Sequence, residues 1–392
     1  MQCEVVIIGA GPAGAISAQR LSSSGVKVIL IDQAVFPRDK TCGDLVTREG
    51  LEVLERSGLT TWSQQFHIVK KMRFTSPNNQ LLEVPVNRED KTVARIIPRR
   101  QLDNKLVENA VSSGTLLKEG VRVQQIDTTQ PKLRVSLESG LVEAELLILA
   151  DGSHAPITRK LGLAQPGKDL LAIQQYLAGD IEPQGPIEFH FQSNIIPGYT
   201  WMFPMGDGLI NIGAGTYTHR VTARQVDLKF VLESFKNNHP VQKTRLANTE
   251  AVRGMRSHPL RTDLGSTRTH AARILVTGDA AGLVSPFTGE GIASAMRSGE
   301  LAAQTALSAF KIGDLSQSSL QPYTRSLHSR YGSDKRIARL LRSVLKHPVL
   351  LNRVFKKMIQ SPELAYLFGQ IFLDESSPKE LVKPTNLLRL LI

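Results

Sequence analysis

The chain opens with apolar residues clustered and polar ones held back. Val5–Ile8 is an unbroken, mostly β-branched run, the pattern of a parallel-sheet strand covered on both faces. It meets Gly9, Gly11 and Gly14; small residues at 13–23 then predict a helix, and a second run at 26–31 stops on Asp32. Runs of the same kind return at 146–149, ahead of Asp151-Gly152, and at 274–276, ahead of Gly278-Asp279. Strand, loop and helix in this order predict an α/β architecture. Around 197–215 the pattern changes: Tyr199, Trp201 and Phe203 occupy alternate positions, so a strand there turns all three to one side. Beyond about 313 the spacing becomes helical. Ile337, Leu340, Leu341 and Val344 recur on one stripe, with Arg336, Arg339 and Lys346 available for another face.

The first glycine cluster carries chemistry. In GxGxxG, Gly9 permits the tight turn, Gly11 lets a pyrophosphate reach the backbone, and Gly14 lets the helix pack close to the strand. Pro12 and Ala13 open that helix, whose free N–H groups and dipole favour negative charge. Asp32, followed by Gln33, stands where a carboxylate accepts hydrogen bonds from an adenosine ribose. The ligand implied is a dinucleotide. At 278–303 backbone amides gather again at a helix start near Gly289 and Gly291, with the Asp279 carboxylate close by.

Composition narrows the classes. A chain of 392 residues predicts two to three domains at about 150 residues each. Hydrophobic residues at 41% and charged ones at 21% exclude disorder and fibrous repeats. Two cysteines, Cys3 and Cys42, make neither a disulfide framework nor a metal-ligand pattern, so no metal is expected and a reducing, cytoplasmic setting is. No room for a signal segment precedes the first strand, and no apolar stretch is long enough to span a bilayer. The net charge of +12 favours an anionic partner, but no nucleic-acid motif accompanies it. Nine Lys or Arg against one Asp fall between 330 and 357, which suits peripheral contact with an anionic membrane surface or the solvated face of a capping helix. His190, His258 and His270 lack partners at metal or triad spacing, and Ser153 and Ser285 lack a histidine and acid arranged for nucleophilic catalysis.

GAGPAG at 9–14 and the Gly278-Asp279 segment together resemble the FAD-dependent oxidoreductases of the glutathione-reductase type, in the branch holding the aromatic hydroxylases and the geranylgeranyl reductases. FPRDKTCGDLV at 36–46 and PGYTWMFPMGDGLINIGAG at 197–215 are similar to the geranylgeranyl reductases, with Lys40, Cys42, Gly43, Tyr199, Trp201, Phe203 and Pro204 matching. The resemblance covers about residues 1–310. It implies an α/β fold: a Rossmann-like FAD-binding domain from 1–75, 96–162 and 265–312, a mixed-sheet substrate domain from 76–95 and 163–264, and a helical C-terminal region at 313–392. It further implies that Asp279 holds the ribityl chain, that Gly278, Gly289, Gly291 and Ile292 hold pyrophosphate and flavin ring, and that Cys42, Gly43 and Asp44 border the ring. Arg99, with Arg100 beside it, then reaches the cofactor, and the Val123 backbone meets the adenine. Cys42, Tyr199 and Trp201 are the candidate catalytic residues, the two aromatics forming an apolar pocket with Phe203. Two positions depart from the family: Ala155 replaces a serine four residues after Asp151, removing a hydroxyl from the surroundings of that carboxylate, and Asp32 replaces a commoner glutamate.

Only one GxGxxG unit is present and no Cys-x-x-Cys, so reducing equivalents must come from a transient donor, NAD(P)H or a ferredoxin-type protein. The activity implied is FAD-dependent reduction of carbon–carbon double bonds in an isoprenoid or other apolar small molecule. Oxygen chemistry through a flavin hydroperoxide, as in monooxygenases and halogenases, dehydrogenation of a bound substrate, and a lipid carrier or assembly subunit without turnover are the alternatives.

Overall fold

In the computed structural model, which describes residues 1–86, 92–166, 169–179, 185–344 and 346–391, a six-stranded sheet carries the glycine cluster. Val5–Ile8 lies inside it, paired in parallel with Val28–Ile31 on one side and Leu146–Leu149 on the other. Leu116–Lys118 and Ile274–Val276 extend the parallel set, and His270–Ala271 closes one edge antiparallel. Every residue of the three inner strands is buried, which removes any reason for alternation. The second strand starts two residues later than its pattern predicts, because the Val26 N–H is taken by the Leu21 carbonyl in the turn that ends the preceding helix.

That helix, Pro12–Ser22, packs against the long helix Ile292–Ile312. A Cβ on Gly299 would stand 2.3 Å from the Ala13 carbonyl oxygen, and Ser17 Oγ donates to the Gly299 carbonyl at 3.0 Å. The contact joins segments 282 residues apart in sequence at the carboxyl ends of the parallel strands, where open α/β sheets hold ligands.

A second, mixed sheet stands over this edge. Leu170–Gly179, Leu209–Tyr217, Tyr199–Gly206 and Ile187–His190 run antiparallel in that order, and Thr249–Ala251 and Arg256–Leu260 both pair with the first of them. Lys71–Thr75 and Leu81–Pro85 continue it beyond Ile187–His190. Lys71–Thr75 therefore lies in the second sheet, although the sequence reading grouped it with the first domain; Met72 and Phe74 pack into the aromatic core beneath that sheet. Part of the expected insertion at 76–95, namely 87–91, and positions 167–168 and 180–184 of the expected 163–264 stretch lie outside the described residues.

The chain ends in helices, Gln317–Leu327, Ser333–Val344, Pro348–Gln360, Pro362–Phe372 and Pro384–Leu391. None among the described residues is long and apolar enough to cross a membrane. Ser333–Val344 does not bury the stripe its spacing suggests: Leu340 is 55% exposed, while Lys335 and Arg342 are buried. Both cations turn inward because backbone carbonyls await them, Val284 for Lys335 and Pro286 for Arg342. The side chain of Val344 lies outside the described residues.

Candidate active site

The strand ends, the second sheet and the C-terminal helices enclose a cavity of about 580 Å³. One arm runs along the glycine cluster. A Cβ on Gly9 would meet the Ala150 carbonyl oxygen at 2.1 Å, and one on Gly14 would meet the Gly9 carbonyl oxygen at 1.8 Å, so both positions demand glycine. Gly9, Gly11, Pro12 and Ala13 line this arm; Gly14 sits behind it as the packing contact. Asp32 is oriented by its neighbours, Oδ2 accepting from Ala10 N at 2.7 Å and Oδ1 from Ala34 N at 2.8 Å. Gln33 and Val123 complete the same end.

In the middle, Gly278, Asp279, Gly289, Gly291 and Ile292 form the wall at the start of the long helix. Ser153 Oγ donates to Asp279 Oδ2 at 2.7 Å, which fixes the carboxylate; the sequence reading gave this serine no role. Asp151 also lines the cavity and accepts from the N–H groups of Ile157 and Thr158 at 2.8 and 3.0 Å. The hydroxyl missing at Ala155 is supplied by Thr158, whose Oγ1 donates to Asp151 Oδ1. Burial raises the Asp151 carboxyl above its ordinary range against those donors.

Facing this wall is the turn around Cys42. Arg99 lines the cavity there and forms a two-point ion pair with Asp103, both bonds 2.7 Å. Burial pushes the Cys42 thiol up, although the Arg99 guanidinium beside it pulls the other way, so it stays a thiol at neutral pH. Burial lowers the Lys40 ammonium to about 8, with Arg99 adding to the effect, and lowers His258 to about 3, keeping that imidazole neutral. Asp44 does not reach the cavity. It is fully buried and accepts from Tyr176 Oη at 2.6 Å, Asn211 Nδ2 at 2.7 Å and Arg99 N at 3.0 Å. Asn211 also donates to the Cys42 carbonyl at 2.7 Å and accepts from Trp201 Nε1 at 2.9 Å, so one amide ties the turn to the second sheet.

The other arm is apolar. Tyr199, Trp201 and Phe203 lie on one face of their strand and line it, with Phe189 and Phe372. A Cβ on Gly213 would stand 2.1 Å from the Trp201 ring, so glycine there seats the indole. Tyr199 Oη donates to the Thr288 carbonyl, and burial raises the phenol to about 12. Its proton is committed to that loop. Phe372 comes from the C-terminal helices, which the sequence pattern left without a site residue; its ring lies 4.9 Å from Phe189 and 6.2 Å from Tyr199. Glu290 lines the cavity as well, accepts from Ala293 N at 2.6 Å and is hydrogen-bonded to Asp374. Burial raises the Glu290 carboxyl well above its ordinary range, with the Asp374 carboxylate adding to the effect, so the protonated form is favoured. A lone glutamate at a helix start gave no sign of this.

An extended dinucleotide fits the first arm on this chain's own atoms. The cradle has no room for Cβ atoms at Gly9 and Gly14, and cations Arg38, Lys40, Arg99 and Arg122 line it. Arg38 Nη1 and His258 Nε2 are buried there without a partner among the described residues. A family model described as FAD binding domain matches residues 2–331. Over 334 residues the chain is 30% identical to the digeranylgeranylglycerophospholipid reductase of Methanoculleus marisnigri, covering 82% of this chain and 80% of that one. The chain belongs to the geranylgeranyl reductase family of FAD-dependent oxidoreductases. The chain is also similar to the menaquinone reductase of Mycobacterium tuberculosis, 27% identical over 358 residues covering 89% of this chain and 85% of that one. The fold is shared with a geranylgeranyl bacteriochlorophyll reductase-like protein of Thermoplasma acidophilum, at a TM-score of 0.84 and 22% identity over 97% of this chain and 98% of that one. A flavin-dependent brominase, with a TM-score of 0.78 and 19% identity over 97% and 98% of the two chains, shares the fold alone.

Proposed function

We propose that this geranylgeranyl reductase family member reduces carbon–carbon double bonds in the polyprenyl chain of an isoprenoid lipid, with NAD(P)H or a ferredoxin-type protein renewing its reducing power from the cytoplasmic side of a membrane. The observation that carries the reading is the aromatic arm, which leaves the dinucleotide groove at the Cys42 turn and offers a chain of isoprene units mostly apolar walls, Phe189, Tyr199, Trp201, Phe203 and Phe372. The relatives named above support it, since a digeranylgeranyl lipid and a menaquinone have an isoprenoid chain in common.

Bound FAD, once reduced, supplies a hydride. Everything else falls to side chains. Asp32, Asp279 and the glycine turns position the cofactor; Trp201, Phe203 and Phe372 hold the alkene and exclude water. The second carbon of the reduced bond needs a proton. Among the polar groups lining the apolar arm, Glu290 has one to give, kept on it by burial and by Asp374. Cys42 and Tyr199 keep their protons too firmly for this part and act as walls.

The test is anaerobic: reduce the purified FAD-loaded protein with each donor, add polyprenyl substrates and weigh the products. A gain of two hydrogens per bond is expected. Products carrying oxygen or halogen under air, with none reduced anaerobically, would overturn the reading. A Glu290→Gln variant should bind FAD with an unchanged spectrum yet lose turnover by about 10²-fold, the usual size of a missing proton donor.

A further inference from the structure

A second cavity, of about 640 Å³, lies beside the first and differs from it in charge. Its walls include His219, Arg220, Arg339, Lys346 and His347, and among the described residues no carboxylate lines it. Arg339 is matched by Asp263 at 3.1 Å, just outside the lining, yet its buried Nε has no partner among the described residues. Arg220 gives its N–H groups to the Ile195 and Ile196 carbonyls, and among the described residues no carboxylate stands at ion-pair distance from Arg220 or Lys346.

Between the two cavities stands Arg342. It lines the aromatic cavity, its guanidinium lies 4.6 Å from the centre of the Tyr217 ring, and Tyr217 lines the cationic cavity. Only 3% of Arg342 is exposed. It donates to the Pro286 carbonyl, its Nε is unpartnered, and among the described residues no carboxylate pairs with it. A buried guanidinium without a counter-charge is costly. A ligand that brings negative charge removes that cost.

Resting on the polyprenyl reading above, we propose that the cationic cavity takes the phosphate-bearing head group of the lipid substrate, with Arg342 at the junction where the head ends and the isoprenoid chain enters the aromatic arm. Phosphoryl oxygens suit this set of donors. Guanidinium and ammonium groups of Arg220, Arg339 and Lys346 line the cavity, with Arg342 at its border, and they match an anion carrying several oxygens better than a single carboxylate. A neutral quinone head would leave Arg220, Arg342 and Lys346 without a counter-charge, since only Arg339 has Asp263 beside it. The assignment thereby divides the two substrate types named for the relatives and selects the phosphorylated one.

Calorimetric titration of the FAD-loaded protein decides the matter with three probes: geranylgeranyl diphosphate, geranylgeraniol and inorganic pyrophosphate. The diphosphate is expected to bind at least about tenfold more tightly than the alcohol, as one or two charge-assisted hydrogen bonds provide. Lys346→Glu, at an exposed position, should remove most of that advantage while leaving alcohol binding unchanged; Arg220→Lys, which keeps the charge, should retain it. Equal affinity for diphosphate and alcohol would overturn the proposal, as would an unchanged preference in Lys346→Glu. Pyrophosphate binding as tightly as the prenyl diphosphate would mark a free-phosphate site and overturn the head-group assignment. If the protein reduces the alcohol as efficiently as the diphosphate, the head-group site fails and the reductase reading stands. If no polyprenyl compound is reduced but the diphosphate preference is seen, the reverse holds.

Discussion

Lys40 shows how a single side chain couples the protein's environment to its cofactor. It sits in the dinucleotide arm near Arg38 and Arg99, and burial lowers its ammonium to about 8, below the usual lysine range. The protonated form is the one that attracts an anionic cofactor. Below pH 8 it is present in the free protein; above it, binding must first recapture a proton. FAD affinity should therefore be flat up to about pH 8 and fall by up to about tenfold per unit beyond, a slope that linkage fixes. Fluorescence titration of the apoprotein at pH 7, 8 and 9 measures it. Lys40→Met should bind more weakly at pH 7 and show no such slope; a wild-type curve without a break near 8 would show that Lys40 does not face the cofactor. The Lys-x-Cys-Gly turn pointed to this place on the chain. It said nothing of burial, which is the largest cause of the shift and depends on strands far away in sequence.

Among the elements, the dependence on distant partners is sharper still. The first strand, its glycine turn and the following helix are local, each fixed by residues within one short stretch, and their pattern can be read directly. Asp44 cannot be read in that way. It looks like a ring-bordering residue of the turn, yet it turns inward, with a backbone φ of 62°, to meet Tyr176 and Asn211 on two strands of the second sheet, 132 and 167 residues away. Sequence spacing carries no record of such a knot, and the same limit hid Phe372, Arg342 and Asp374 in the C-terminal helices. The knot has a measurable signature. Burial raises Asp44 to about 6, so the folded chain holds an extra proton between the ordinary aspartate value and 6. The stability this gives is complete in acid and lost as pH rises through 6. Tyr176→Phe removes a donor that favours the charged form, so its penalty should be small at pH 5 and reach about 1–3 kcal/mol above pH 6.5, the usual cost of an unsatisfied buried group. Urea unfolding at the two pH values separates the cases; an equal loss at both would mean that Asp44 does not ionise in this window.

For the whole molecule, the proposed function raises the question of how a polyprenyl lipid would pass from a bilayer to the aromatic arm. The C-terminal helices bring three features together. Lys346, His347 and Pro348 line the cationic cavity and are exposed, Leu340 and Val349 beside them in sequence are 55% and 67% exposed, and Arg336, Arg353 and Lys356, all exposed, belong to the same helical stretch. We propose that these exposed apolar side chains, set among cations, suit the boundary of an anionic bilayer. Each basic residue near such a surface contributes about 1 kcal/mol, an attraction that salt weakens. The protein should then sediment with vesicles containing phosphatidylglycerol, should not do so with phosphatidylcholine alone, and should be released as salt is raised. Leu340→Glu combined with Val349→Glu exchanges two inserting side chains for charges the bilayer repels, and should weaken vesicle binding by at least about tenfold. Neither residue lines either cavity. Reduction of a detergent-solubilised substrate should therefore proceed at the wild-type rate in the same variant, whereas reduction of substrate embedded in anionic vesicles should fall with binding. Equal sedimentation with neutral and anionic vesicles, or full activity of the double variant on embedded lipid, would show that the substrate enters by another face.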